Sequence, residues 1–449
     1  MKRVFLFLGI LTVITSISLQ ISSAADSKVR HTIIAATGEA APEGGNYLSF
    51  SNVSLNARHD VAFDASVGGT TGVFVSDGKT ISTTSLGFAS NPFITPTGDV
   101  VFDVNNSDVY KNNGKSIVPL ARSGDPAPGG GTLTPSGELR ETNNHGTIAY
   151  SAFVINSTAT QGIFRSDEGQ TIAIARDDIA PPTGGAFTIL GNTVINDRGQ
   201  VAFYSNMTGG TADFGIFRGE GGDLTPVFVT NQTGPGGEVF ADFGNPVINN
   251  HGQIATTVSL SNSDIGIYVG NGTDTVTIAL QGQPAPKGGN YKGQFVAPTR
   301  FNDLGDVAFD ARLTGGTSSS GIFRGDGKRT VAIALTGTNA PGTTGTFAAF
   351  RDLQLLNDGR VAFIALLTPG VGGVNASNNM GIWIGTSDED LQLVVRTGDV
   401  IEERVLTRIV QDAQAHQLAV NENDVLWVAN FGTARAVVSS RVTGANEEY

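Results

Sequence analysis

The chain has 449 residues, 39% of them apolar, with 28 basic side chains against 41 acidic ones and no cysteine. A net charge of −13 repels phosphate backbones and argues against nucleic acid as a partner, while the absence of cysteine excludes a disulfide framework, a thiolate metal site and a thiol nucleophile. The 59 glycines are about twice the usual share and follow no collagen period, so the chain is built around many tight turns.

The first predicted element is an export signal. Lys2 and Arg3 give a positive start, an apolar run from Val4 to Leu19 follows, and Ser23-Ala24-Ala25 offers small residues for cleavage. The pattern predicts a signal peptide over 1–25, cleaved near Ala25, and a secreted or periplasmic protein. A membrane anchor is the alternative, and it needs a longer apolar span. No later segment is long and apolar enough to cross a membrane, and the C-terminal VTGANEEY carries no anchor signal. Residues 26–449 are expected to form one monomeric domain whose last few residues are a flexible tail.

From there a phrase recurs: NARHDVAF (56–63), TPTGDVVF (95–102), NNHGTIAY (143–150), NDRGQVAF (196–203), NNHGQIAT (249–256), NDLGDVAF (302–309), LNDGRVAF (356–363) and VNENDVLW (420–427). The last residues of the middle copies, Tyr150, Phe203, Thr256 and Phe309, are each 53 apart, and the outer intervals run from 39 to 64. The fourth position is Gly six times, with His59 and Asn423 as the exceptions. All three types tolerate positive φ, so the position reads as a left-handed residue closing a hairpin. The alternating residues after it form a short strand. Each copy is followed by a second strand such as GIFR (162–165), a Gly- or Asp-rich turn, a third strand such as TIAIAR (171–176), and an Ala-Pro/Gly-Gly loop. A further apolar stretch then leads into the next phrase.

Four short strands per repeat of about 50 residues, without a helical pattern, predict a β-propeller. The last unit lacks its fourth strand, and the missing piece sits at the other terminus, where HTIIAATGEAAPEGG (31–45) matches TVAIALTGTNAPGTTG (330–345). The expectation is an all-β, eight-bladed propeller of four-stranded antiparallel blades. The blades fall at 47–86, 88–122, 132–176, 187–230, 240–280, 295–335, 347–396 and 405–442, and residues 32–37 close the last one. The short second blade leaves seven blades as the alternative.

The N-x-x-G-x-V/I-A-F phrase, with G-I-F-R and G-D-x-A-P, resembles secreted bacterial tandem-repeat proteins with the NxxGxxAF motif, of the choice-of-anchor type. The resemblance spans about 31–442 and implies export and a propeller-like fold. It implies no catalytic residue. This chain lacks the C-terminal sorting tail of many such relatives.

Chemistry is sparse. The five histidines, His31, His59, His145, His251 and His416, show no HExxH spacing, and no G-x-S-x-G elbow occurs. No catalytic residue, metal ligand or cofactor is assigned. Calcium at NDLGD (302–306) or SDED (387–390) is the alternative, but these stretches lack the alternating carboxylates of a calcium loop. The turns leading into the next blade carry a matched set: Arg122, Arg176 and Arg396, followed by Asp125, Asp178 and Asp399, with Glu39 in the neutral relative. In a four-stranded blade these turns share a face with the loops between the second and third strands, including the long loop 366–381. Two readings follow. Either these seven residues bind a glycan or cell-surface polymer, with Arg as a bidentate donor, or each Arg pairs with its local Asp and pins the turn. The expected function is an exported, non-catalytic binding or adhesion module. The alternative is a polysaccharide-active lyase or hydrolase, for which blade eight, with Asp412, His416 and Glu422, is the main asymmetry.

Overall fold

The computed structural model describes residues 29–411 and 418–442, with the backbone alone at 136–140 and 296–299. The export signal at 1–25, the C-terminal tail, Asp412 and His416 lie outside the described residues. Among the described residues the chain forms eight antiparallel blades of four strands, here lettered a to d from the axis outward. Blade 1 is Tyr47–Leu55, Val61–Val67, Thr70–Ser76 and Ile81–Leu86. The others follow at 89–121, 132–176, 186–229, 240–280, 290–335 and 347–396, and blade 8 takes its a to c strands from 408–442. The short second blade is complete. In blade 6 the a strand, Asn290–Phe301, starts earlier than its relatives suggest, because two register shifts lengthen it.

The repeated phrase is explained by packing. In V-A-F the Val and the Phe fill the crevice on one side of the b strand, and the small Ala leaves room on the other for the rings of the next blade. Ala308 accordingly shares a core cluster with Phe350 and Phe363, Ala255 with Phe309, and Ala149 with Phe203. Each buried Phe contributes about 2–3 kcal/mol by leaving water. The Gly of G-I-F is dictated by its own strand: a Cβ on Gly162 would stand 2.8 Å from the ring of Phe164, and one on Gly381 would stand 2.7 Å from Trp383.

The hairpins of the phrase are bonded from blade to blade. The first Asn uses its Oδ1 to accept turn N–H groups, as Asn196 does from Arg198 (3.1 Å) and Gln200 (2.9 Å). Its Nδ2 donates to the carbonyl at the matching position of the next blade. These bonds run from Asn56 to Thr95 (3.0 Å), Asn143 to Asn196 (3.0 Å), Asn196 to Asn249 (2.9 Å), Asn249 to Asn302 (3.3 Å), Asn302 to Leu356 (2.9 Å) and Asn421 to Asn56 (2.9 Å). Thr95 and Leu356 lack the amide. At those two junctions Lys111 Nζ donates to the His145 carbonyl (3.2 Å) and Arg360 Nη2 to that of Glu422. An outer tier of alternating Asn and Asp side chains links blades 3 to 7, the amides of Asn144, Asn250 and Asn357 donating to the carboxylates of Asp197 and Asp303 on either side.

The left-handed turn residue is found at His59 (φ 70°) and at all six glycines. Gly199 must also stay bare because the Arg165 guanidinium lies 2.7 Å from where its Cβ would be. Asn423 departs from the expectation. Its hairpin is one residue shorter, closed by Asn421 N–H to the Asp424 carbonyl (3.0 Å), and needs no left-handed residue.

Ring closure is as expected. The strand Val29–Ala36 pairs antiparallel with Ala434–Val442, from Val29 opposite Val442 to Ala36 opposite Ala436. The free edge of this N-terminal strand is met by a small hairpin, Val400–Ile401 with Arg404–Val405. Its Glu402 and Glu403 both take positive φ (47° and 65°), and Glu402 Oε1 accepts the Ile33 N–H (3.0 Å). Covering an edge N–H in this way blocks strand addition.

Asn196→Ala removes a buried inter-blade bond and two turn bonds, and is expected to destabilise the fold by about 2–3 kcal/mol. Asn144→Ala, on the exposed outer tier, should cost less than about 1 kcal/mol. Urea unfolding midpoints check both.

Candidate functional site

The turns leaving the d strands form one face with the b–c loops. At three of them the acidic residue caps its own turn: Asp125 Oδ2 accepts the Arg122 N–H (2.9 Å), Asp399 Oδ2 that of Arg396 (2.7 Å), and Glu39 Oε2 that of Ala36 (3.0 Å). Each arginine then differs. Arg122 reaches Asp125 Oδ1 at 3.0 Å from a half-exposed position. Arg176 is 3% exposed. It forks onto both oxygens of Asp178 (3.0 Å each) and donates to the Pro128 carbonyl (2.5 Å) and Ser157 Oγ (2.9 Å). This fork, with Thr158 Oγ1 at 2.5 Å, pulls the Asp178 carboxyl down to about 2. Arg396 turns toward the long loop of blade 7 and donates from Nε to the Asn378 carbonyl (2.5 Å), leaving Nη2 buried without a partner.

The seven predicted residues therefore form two groups. Arg122, Asp125, Arg176 and Asp178 surround blade 3. Arg396 and Asp399 lie beside blade 8, where Glu39 meets Arg404 at 3.5 Å. Arg176→Ala should cost about 2–4 kcal/mol, because it strands a carboxylate and a linker carbonyl. Arg122→Ala, at a solvent-exposed pair, should leave the unfolding midpoint nearly unchanged. Urea unfolding of the two variants, run beside a ligand-binding assay, separates pinning from recognition.

The carboxylates of the calcium reading are already engaged. Asp390 accepts from Thr386 and Ser387, Asp306 pairs with Arg324 (2.9 Å), and Asp303 belongs to the outer Asn/Asp tier.

Sequence reasoning missed a polar system nearer the axis. The a strands carry left-handed residues at mid-length, Asn91 (φ 51°), Asn192 (φ 49°) and Asp352 (φ 43°). The b strands place Asp64, Asp103 and Asp310 just after the phrase. Between blades 1 and 2 the polar groups are satisfied: Asp64 accepts from Asn52 N and Nδ2 (2.8 Å each) and from Asn91 N (3.1 Å), and Asn91 Nδ2 donates to Asp103 (2.9 Å). Between blades 6 and 7, Arg300 donates to Gln354 (3.3 Å). Burial lowers the Arg300 pKa, against the fields of Asp352 and of Glu141 from blade 3. The legible signal was an Asp inside otherwise apolar strands: FDA (63–65), FDV (102–104) and FDA (309–311).

Asp310 stands apart from its two counterparts. Its Oδ1 is buried with no hydrogen-bond partner, and burial pushes its pKa up to about 6, against the fields of Arg312 and Arg351. The folded protein thus holds this proton more tightly than the unfolded chain. Its contribution is most favourable below the ordinary value of 3.8 and declines as pH rises to about 6, a loss of roughly 2–3 kcal/mol. Asp310→Asn is accordingly expected to raise thermal stability at about pH 7.5, with roughly a third of that gain at about pH 4.5. Calorimetric melting at the two pH values measures it.

No curated protein matches the chain. Among solved structures, a puromycin-hydrolysing peptidase of Mycobacterium tuberculosis is 14% identical, with 90% of this chain and 53% of the peptidase covered and a TM-score of 0.43. A puromycin hydrolase is 11% identical, with 85% and 58% covered and a TM-score of 0.42. The chain spans about half the length of these two proteins. YCF48 bound to a D1 peptide is 11% identical, with 94% and 97% covered and a TM-score of 0.36. Residues 92–319 match a described family, and 261–423 match it again, as one repeat profile does when it fits the ring in two registers. With these matches running from blade 2 into blade 8, the chain belongs to the family of unknown function DUF7453.

Proposed function

We propose that this protein is an exported, non-catalytic propeller that binds a glycan or related cell-surface polymer on the face formed by its inter-blade and b–c loops. The observation that carries the reading is the inequality of the two faces. Leu48, Leu86, Phe88, Phe153, Ile155, Ile179, Ile189, Val371, Val400 and Val405 are large apolar side chains exposed on the loop face, against Ile117, Val276 and Leu304 elsewhere. Phe88 is 62% exposed with φ 62°. Holding a bulky residue left-handed in the open costs about 1 kcal/mol or more, and such strain gathers at functional positions. The opposite face is committed to bonding the blades together. Apolar rings among hydroxyl, amide and Arg groups suit the alternating apolar and polar surfaces of a sugar. Export is supported by the positive start, apolar run and small cleavage residues of 1–25, and the NxxGxxAF-type resemblance agrees with it.

The buried acid Asp310 favours a polysaccharide-active enzyme as the second reading. The mature chain should be screened on a glycan array and a polysaccharide panel. Phe88→Ala and Phe153→Ala are expected to weaken the best binder by about tenfold, the equivalent of about 1.4 kcal/mol, at unchanged melting temperature, whereas Leu304→Ala on the opposite face leaves it unaltered. Release of reducing or unsaturated ends supports the enzyme instead, and equal losses on both faces overturn the assignment of the face.

A further inference from the structure

Resting on that binding reading, we infer that the cleft beside the closing seam of blade 8, between Glu39 and Arg404, is a subsite for the vicinal diol of a neutral pyranose. The cleft has a volume of about 470 Å³ and opens on the loop face. Three segments meet there: the turn leaving the N-terminal strand, the b–c loop of blade 8, and the hairpin of Val400–Ile401 with Arg404–Val405. The volume falls in the range of small-molecule sites. The hairpin sets this place apart from its relatives. Other linkers between blades close with a single backbone bridge, such as Pro126 to Thr132 or Pro284 to Asn290. The linker from blade 7 to blade 8 instead folds into two short strands, and it brings Arg404 and the exposed Val405 to the cleft.

The polar pair is positioned without being closed. Ala36 stands where Arg122 and Arg396 stand in their own turns, so the turn of Glu39 has no arginine of its own. Glu39 Oε2 accepts the Ala36 N–H (3.0 Å), which fixes the carboxylate and leaves Oε1 for Arg404. Arg404 Nη2 lies 3.5 Å from that oxygen, and among the described residues its guanidinium has no other partner. Both side chains are close to half exposed. The buried Arg176 fork, with both carboxylate oxygens at 3.0 Å, shows what a purely structural pair looks like on this face. An ionised carboxylate only accepts and a guanidinium only donates, while a hydroxyl does both. Two adjacent ring hydroxyls therefore suit the pair: one donates to Glu39 Oε1 and the other accepts from Arg404, each in a charge-assisted bond. Thr37 adds a donor, since its Oγ1 accepts the Arg435 N–H (3.1 Å) and keeps its own proton free. Val405 and Phe431 line the same cleft and offer apolar surface to the C–H face of the ring. The two charges offset each other, and Glu39 repels a sugar carboxylate, so a neutral ring is preferred to a uronate.

Titration calorimetry on the intact mature chain tests this with four probes: cellohexaose, mannohexaose, a galacturonate hexamer and the zwitterion glycylglycine. One of the neutral hexamers is expected to bind at least about tenfold more tightly than the galacturonate or the dipeptide. Arg404→Ala, Glu39→Gln and Val405→Ala are each expected to weaken it by about tenfold at an unchanged melting temperature. Glu39→Gln keeps an oxygen for the turn cap and loses the second acceptor, which separates lost recognition from lost folding. Galacturonate or glycylglycine binding as tightly as both hexamers, or no binding of either hexamer, overturns the neutral-sugar assignment. Full binding in both Arg404→Ala and Glu39→Gln overturns the subsite; if Phe88→Ala still weakens that binding, the wider reading of the face survives. A parent chain that binds no saccharide on the panel removes both.

Discussion

One kind of bond joins the hairpins around the ring, a side-chain donor that reaches from one blade to a hairpin carbonyl of the next. Six of the eight junctions use the Nδ2 of the first Asn of the phrase, and the other two use Lys111 and Arg360. The Asn is suited to this because its two ends do different work. The carbonyl oxygen fixes its own turn, and the amide nitrogen, now rigidly aimed, meets the neighbour. Asp would fix the turn but could not donate, and Ser could not span the gap. Where the chain drops the Asn, at Thr95 and Leu356, a cation from another position crosses the same junction. The requirement therefore belongs to the junction, and the residue type follows from it.

Such a belt makes the two faces unequal. On the hairpin side, turn geometry, inter-blade bonding and packing all constrain the same residues, so little can vary. On the loop side the chain needs only to return to the axis. Turn acids, the Arg176 fork and repeated main-chain bonds such as Ala41 N–H to the Gly45 carbonyl and Ala127 N–H to the Gly131 carbonyl order it, and the positions outside them differ between blades. The long loop of blade 7 and the exposed rings at Phe88 and Phe153 occur on that side. Closure depends on the same economy. The N-terminal strand supplies the missing d strand of blade 8, Asn421 bonds across the seam to Asn56, and Glu402 covers the edge that remains.

Much of the fold was legible because the phrase reports packing directly. Gly at the turn, V-A-F in the strand and Gly before the aromatic in G-I-F each follow from a steric demand that recurs in most blades, and the split last unit showed how the ring shuts. What the sequence concealed was of two kinds. The donor role of Asn196 and its relatives is invisible in one dimension, because an Asn that caps its own turn reads the same whether or not its amide reaches a neighbour. The polar axis was obscured because its residues break the repeat: Asp64, Asp103 and Asp310 share a position with Ser151, Tyr204, Thr257, Ile364 and Val428. The Arg–Asp turns were visible, but whether a guanidinium is sealed, as in Arg176, or half-exposed, as in Arg122, depends on the adjacent linker rather than on the motif.

That last distinction bears on how a site is told from a scaffold in a repeat protein. A polar group used for structure is matched within the ring, because an unmatched one weakens the fold it is meant to hold. Asp64 and Arg176 meet this condition. Asp310 does not: its position is apolar in blades 7 and 8, a hydrophobic residue is evidently tolerated there, and its charge is retained at a stability cost with no internal donor to offset it. A repeat scaffold supplies its own controls, since seven other blades show what the same position does when only packing is asked of it. Measured against them, Asp310 is a position where the ring holds a buried acceptor that packing does not require and the described residues do not satisfy.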